Sequence, residues 1–320
     1  MRISITDRCN ERCLYCQPHG PFELLPRGDL LSYEEILRVV RVAVGLGIVK
    51  FRVTGGEPLI RRGVEEFLRD LCQTSGVQDV ALSTNATRLG PIAARLRSFG
   101  VTKVNISLDT LRAERYQAIT GGRLQEVLEG IDAAVAARFP QVKLNCVLMK
   151  NRNDDEIFDL IEFAREKDVA LRFIELMPLS TTDVLNEDNF LAAEKVKRAI
   201  REHYGALTTL TGYKGNGPAE YFTIPSLRSP KGTGVKLGFI GAMSNLHFCE
   251  TCNKLRLTPD GKLRPCLGHH DEYDLKEVLR SGGDDAELRR VFERTIARKP
   301  EQHQFRDHYQ PGRRMVAIGG

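Results

Sequence analysis

The chain has 320 residues, 42% of them apolar and 28% charged, with a formal net charge of +5. That is the composition of an ordinary globular protein, with room for one large domain or one domain and a substantial appendage. The basic residues form no dense run interleaved with aromatics, so nucleic acid is not an expected partner, whereas an anionic small substrate is compatible.

The chain opens with Met1-Arg2-Ile3-Ser4-Ile5-Thr6, which alternates like a strand and does not read as a signal peptide. The most apolar early stretch, Val39 to Val49, is interrupted by Arg41 and is too short to cross a bilayer. A cytoplasmic protein, or an organelle matrix protein shorn of its transit peptide, without a membrane partner is therefore expected.

Short β-type runs then alternate with amphipathic helical stretches. Strands are predicted at Arg2–Thr6, Val49–Val53, Asp79–Ser83, Lys103–Ser107, Val142–Leu148 and Ala170–Ile174. Ser32-Tyr33-Glu34-Glu35 reads as a capping box, and Asn153-Asp154-Asp155-Glu156 reads as a helix start of similar style. About six β-α units imply parallel strands joined by right-handed crossovers. The fold class is α/β, a partial (βα)6 barrel with its site at the carboxyl ends of the strands. Thr54-Gly55-Gly56-Glu57-Pro58, Thr84-Asn85, Ser107-Leu108-Asp109 and Glu175-Leu176-Met177-Pro178 fall at those ends. Each alone is ordinary turn chemistry, but four at one edge point to a site.

After Pro178 the rhythm changes. A charged helix near Asn189–His203 precedes a Gly/Pro-rich stretch, Gly212–Pro230, where short strands are expected, and helices continue to about Lys299. The expected division is a barrel core over 1–177 and a C-terminal α+β domain over 178–320 that closes it.

Six of the eight cysteines fall into two groups: Cys9-x3-Cys13-x2-Cys16, and Cys249-x2-Cys252-x13-Cys266. Clustered cysteines in a reducing compartment signal metal or catalysis. Cys72 and Cys146 stand alone and read as small buried hydrophobes. Three close thiolates suit three irons of a cubane, with the fourth iron open for a substrate. A structural zinc site would need a fourth ligand, which His19 could supply to the first group, and His247, His269 or His270 to the second.

The first cysteine motif and Gly55-Gly56-Glu57-Pro58 together resemble the radical S-adenosylmethionine enzymes. The resemblance implies that the open iron chelates S-adenosylmethionine, that the reduced cluster cleaves its sulfonium bond, and that hydrogen is then abstracted from the substrate. It also implies that the glycine turn brings backbone close to the methionine amine. The stretch Phe248 to Leu267, with Thr6-Asp7-Arg8-Cys9-Asn10, Asn105-Ile106-Ser107-Leu108-Asp109, Arg172-Phe173-Ile174-Glu175, Gly217-Pro218-Ala219-Glu220-Tyr221 and Ile318-Gly319-Gly320, is more narrowly similar to the MoaA-type GTP 3′,8-cyclases of molybdenum cofactor biosynthesis.

This narrower resemblance spans the whole chain and implies two [4Fe–4S] clusters. Cys9, Cys13 and Cys16 would hold the first, and Cys249, Cys252 and Cys266 the second. It places S-adenosylmethionine contacts at Tyr15, Gly56, Ser107 and Met177. GTP contacts fall at Arg2, Arg52, Ser83, Lys143, Lys254, Leu255 and Arg256. Catalytic roles fall to Cys9, Cys13, Cys16, Arg256 and the tail glycines Gly319 and Gly320. The implied partners are GTP as substrate, an electron donor and MoaC, the cyclic pyranopterin monophosphate synthase that takes the product; a homodimer is among the assemblies it allows. Three positions depart from the family pattern: Lys254 replaces arginine, Ala86 replaces glycine and Gln17 replaces methionine. A different radical enzyme with an auxiliary cluster, an inactive paralogue, and a zinc-stabilised binding protein remain alternatives at this stage.

Overall fold

A computed structural model describes residues 1–17, 23–180, 185–186, 188–213, 217–307 and 309–319. His19 and Gly320 lie outside the described residues.

All six expected strands form: β1 (Arg2–Ser4), β2 (Lys50–Thr54), β3 (Asp79–Thr84), β4 (Lys103–Ser107), β5 (Gln141–Leu148) and β6 (Ala170–Glu175). They pair in sequence order, each parallel to the next. Between them run α1 (Tyr33–Gly45), α2 (Val64–Gln73), α3 (Ala93–Phe99), α4 (Ala113–Thr120), α5 (Leu124–Ala136) and α6 (Ile157–Glu166). The later part of the chain adds α7 (Ala193–Tyr204), β7 (Thr208–Thr209), β8 (Glu220–Arg228), β9 (Gly234–Ile240), β10 (Arg256–Leu257), β11 (Lys262–Arg264), β12 (Tyr273–Asp274), α8 (Lys276–Arg280) and α9 (Asp285–Ala297).

The parallel sheet is wider than the six β-α units implied. β9 joins β6 in parallel at one edge, and β10 joins β1 in parallel at the other. The twelve-stranded order β12-β11-β10-β1-β2-β3-β4-β5-β6-β9-β8-β7 thus carries antiparallel strands only at its outer margins. Among the described residues no helix is long and apolar enough to cross a membrane.

The strands alternate. Ile3, Phe51, Val53, Val80, Leu82, Val104, Ile106, Leu144, Cys146, Leu171 and Phe173 point outward into one hydrophobic core beneath the helices. Each such buried side chain contributes about 1.5–3 kcal/mol. The opposite face carries Arg2, Arg52, Ser83, Asn105, Lys143, Asn145 and Arg172. Parallel strands covered on both faces usually read as continuous apolar runs. A polar inner face at period 2 means that this sheet wraps a polar cavity instead of a filled core.

The local signals behave unequally. Ser32 forms the expected capping box: its Oγ accepts from Glu35 N at 3.1 Å, and its own N–H donates to Glu35 Oε2 at 2.7 Å. Asn153 does not cap α6. Its buried amide donates to the carbonyls of Asp109 and Val147, both at 2.9 Å, and its Oδ1 accepts from Met149 N, so it ties the ends of β4 and β5 together. Cys146 is buried as expected, whereas Cys72 at the end of α2 is only half-buried.

Candidate active site

Both cysteine groups open onto one cavity at the carboxyl edge of the parallel strands. Its wall includes Cys9, Cys13, Cys16, Cys249, Cys252 and Cys266. All six are free thiols. Burial pushes the thiols of Cys9 and Cys16 up to about 12, and that of Cys13 well above its ordinary value.

Three buried carboxylates fix the loop that bears Cys9, Cys13 and Cys16. Glu57 accepts from Leu59 N (2.9 Å), Thr84 Oγ1 (2.8 Å) and Asn85 N (2.7 Å). The Asn85 amide in turn donates to Asn10 Oδ1 at 3.0 Å, inside the first motif. Glu11 accepts from the Tyr116 hydroxyl of α4 at 2.6 Å. Asp109, at the end of β4, accepts from the Tyr15 hydroxyl (2.7 Å) and from Val147 N (2.8 Å). Burial pushes Glu57 and Glu11 up to about 7 and Asp109 up to about 6, against the donors that favour their ionised forms.

The turn after β2 presses against the same loop. Gly56 N donates to Thr6 O (2.7 Å) and Glu57 N to Arg8 O (2.8 Å). A Cβ at Gly56 would lie 2.2 Å from Arg8 O, and one at Gly55 2.8 Å from Thr6 O. These glycines are required by the contact between the turn and the cysteine loop. Gly56 also borders the cavity.

The second feature of the cavity is its charge. Arg256, Arg2 and Arg52 are register partners on β10, β1 and β2, so three guanidinium groups lie in one row across the sheet. Arg172, buried on β6, donates to Asn145 Oδ1 (2.8 Å) and Asn105 Oδ1 (2.6 Å). Lys254 borders the same space. Among the described residues none of Arg2, Arg52, Lys143, Arg172, Lys254 and Arg256 pairs with a carboxylate. The Nε atoms of Arg2 and Arg256 are buried without a partner. Burial lowers all six groups, with Lys143 brought down to about 6 and Lys254 to about 7, and neighbouring cations add to the effect at Arg2, Arg52, Lys143 and Lys254. A row of cations without counter-ions is a receptor for an anion with several charges.

The remaining expected residues divide. Tyr15, Ser83, Ser107 and Met177 border the cavity with the residues above. Lys143 lies behind the wall, its ammonium donating to the Tyr221 hydroxyl at 2.9 Å. Leu255 packs its side chain into the main core, and its carbonyl accepts from Arg2 N at 2.8 Å. Gly319 also lies behind the wall, its carbonyl accepting from Arg256 Nη1 at 2.8 Å, while Met315 and Val316 of the same tail reach the cavity. Arg172 was not singled out as a site residue. Its signal was the pair of polar residues two apart on β5, Lys143 and Asn145, which mark an inward face that Arg172 continues on β6 as the register partner of Asn145.

The donor sets fit iron–sulfur clusters. Three thiolates of each group face the cavity, and among the described residues no three Cys, His, Asp or Glu side chains converge as they would on a single metal ion. A cubane spreads its thiolates over separate irons. The histidines that zinc would recruit are engaged elsewhere: His247 with Glu250 (2.6 Å), His269 with Asp271 (3.0 Å), and His270 stacked on Tyr309 (5.0 Å).

The family model described as the Radical SAM superfamily matches residues 3–164, and that for Molybdenum Cofactor Synthesis C matches residues 169–305. A GTP 3′,8-cyclase of Heliobacterium modesticaldum is 43% identical over 323 residues, covering 100% of this chain and 97% of its own. That of Moorella thermoacetica is 44% identical over 321 residues, with the same coverage. The crystal structure of Streptococcus suis SuiB bound to S-adenosylmethionine superimposes with a TM-score of 0.61 at 13% identity, over 89% of this chain and 65% of that one. That likeness is one of fold.

Proposed function

The chain belongs to the radical S-adenosylmethionine superfamily and, within it, to the GTP 3′,8-cyclases, and from that membership we infer that it converts GTP into 3′,8-cyclo-7,8-dihydro-GTP for molybdenum cofactor synthesis. The observation that carries the reading is the pairing of two cysteine triads with an unneutralised row of cations in a single cavity.

The residues divide the work. Cys9, Cys13 and Cys16 would hold one [4Fe–4S] cluster, and Cys249, Cys252 and Cys266 a second. When bound, the first cluster and S-adenosylmethionine supply one-electron bond cleavage and hydrogen abstraction. Tyr15, Gly56, Ser107 and Met177, which border the cavity, would contact S-adenosylmethionine. Arg2, Arg52, Lys254 and Arg256, with Ser83, Lys143 and Arg172, would take the triphosphate and ribose. Fixing the nucleotide between the two cysteine groups restricts which ribose hydrogen is within reach and holds the base against the sugar carbon, which is catalysis by positioning. Burial keeps water from competing and strengthens each charge-assisted bond.

Residues 1–177 are read as the barrel core and 178–320 as the unit that brings the second cysteine group and the tail to it. MoaC as recipient of the product, a one-electron donor and a cytoplasmic setting belong to the same reading.

The test is anaerobic reconstitution with iron and sulfide, followed by S-adenosylmethionine, GTP and dithionite. About eight irons per chain, 5′-deoxyadenosine and a cyclised isomer of GTP by mass spectrometry are the expected results. Deoxyadenosine without the isomer would move the protein to another substrate, and about four irons would remove the second cluster.

A further inference from the structure

Lys143 and Arg172 are buried on the inner faces of neighbouring strands, and one phenol stands between them. Tyr221 reaches inward from β8. Its hydroxyl accepts from Lys143 Nζ at 2.9 Å, and the same group faces Arg172 and favours its charge. The Tyr221 ring centre lies 5.0 Å from Lys143 Nζ, and that of Tyr213 5.5 Å away. The two rings meet edge to face at 4.9 Å, and Gln141 Nε2 fixes the Tyr213 hydroxyl at 2.9 Å. Gly238, the register partner of Arg172 on β9, leaves room for the arrangement: a Cβ there would lie 2.8 Å from Arg172 Cγ and 3.0 Å from Tyr221 Cε1.

Two buried cations side by side are costly, and a phenol with two aromatic faces returns only part of that cost. Other groups facing Lys143 are Arg52 from β2, Asp79 from β3 and Lys103 from β4. Lys236 Nζ of β9 lies 5.6 Å from the Tyr213 ring centre. The balance is positive, so the pair is held in place yet left unsatisfied.

We propose that Tyr221 is a positioning residue for the nucleotide polyphosphate: it holds Lys143 beside Arg172, just behind the cavity wall, so that the lysine's charge adds to that of the guanidinium the polyphosphate meets. The proposal rests on the reading of GTP as substrate. Tyr221 acts through Lys143 and does not border the cavity itself. Arrival of the polyanion returns Lys143 to its charged form, so binding takes up a proton at alkaline pH.

The experiment uses the reconstituted holoenzyme. Tyr221→Phe, which keeps the ring and removes the hydroxyl, is expected to raise KM for GTP about five- to tenfold with kcat within about twofold of wild type. Tyr204→Phe, which removes a peripheral hydroxyl bond to Glu162, is the control for a generic loss. Calorimetry of GTP binding at about pH 8, in two buffers of different ionisation enthalpy, is expected to show proton uptake that falls in Lys143→Met. An unchanged KM in Tyr221→Phe, or a parallel fall in kcat with the clusters intact, overturns the proposal. Should that variant fail to fold, equal proton uptake in wild type and Lys143→Met overturns it instead. Wild-type holoenzyme that does not bind GTP overturns the functional reading itself, a result distinguishable from both.

Discussion

Arg256 Nη1 donates to the carbonyl oxygen of Gly319 at 2.8 Å, joining the segment that follows the second cysteine pair to the end of the described chain. Gly319 has φ +87°, and a Cβ there would lie 2.7 Å from Thr54 Cγ2 and 2.9 Å from Ser4 Cβ. The tail therefore seats against the ends of β1 and β2 only as glycine. Gly319→Ala is expected to unseat it. Hydrogen exchange over residues 315–319 should rise about tenfold or more, with both clusters retained and turnover lost. Unchanged exchange with full activity would show that the seat is not used.

Arg313 anchors that tail from outside the cavity. Its guanidinium donates to both oxygens of Asp260, at 2.8 and 3.0 Å, and to Glu272 at 3.0 Å. Arg313→Ala leaves the buried Asp260 without its cation and Glu272 with Arg264 alone, and is expected to cost about 1–3 kcal/mol in thermal unfolding. Turnover should fall more than cluster content does, since the tail and not the cysteines loses its hold. An unchanged melting temperature would refute the anchor.

Gly56→Ala brings a Cβ to 2.2 Å from Arg8 O, backbone against backbone. The cysteine loop must shift, at an expected cost of about 2 kcal/mol or more, and S-adenosylmethionine binding should be lost before the fold is. Equilibrium dialysis of S-adenosylmethionine against the reconstituted variant reads this directly; wild-type affinity would mean that the turn has slack.

The apo-protein should become more stable as pH rises. Lys143 has its proton affinity lowered by burial, Arg172 and Arg52, from 10.5 to about 6. Between those values the folded state binds fewer protons than the unfolded chain, so stability increases with pH across that window. Lys143→Met removes this contribution. Urea unfolding of both proteins across the window should show the shallower slope in the variant, and parallel slopes would contradict the assignment.

Ala86 has a left-handed backbone, with φ +66°. A left-handed alanine costs about 1–2 kcal/mol, partly offset by the greater chain entropy of glycine. Ala86→Gly should therefore be stabilising by up to about 1 kcal/mol in the same unfolding assay. A clear loss would show that the Ala86 methyl, which packs against Gly130, matters more than the backbone strain.

Much of this was legible in the chain. Each predicted strand lies within a residue or two of its observed bounds, because alternation over five or six positions is a strong signal. The cysteine spacings marked both thiol groups. The widening of the sheet by β9 and β10 was not legible, since a two-residue strand such as Arg256–Leu257 has no period of its own and exists through its partner β1. Asn153 looked like a cap because helix caps and strand ties use the same side chain. Arg172, Tyr221 and Arg313 each depend on contacts far away in sequence. The contact of the Gly-Gly turn with the cysteine loop was not legible either, since it depends on atoms of Thr6 and Arg8 some fifty residues away.

The cation row makes the guest part of the architecture. A protein whose interior charges find their counter-ions only in what it binds is least stable when empty. Chains without nucleotide would then be the ones that unfold and are degraded first, so the cellular amount of this protein would follow the supply of its ligand with no separate control.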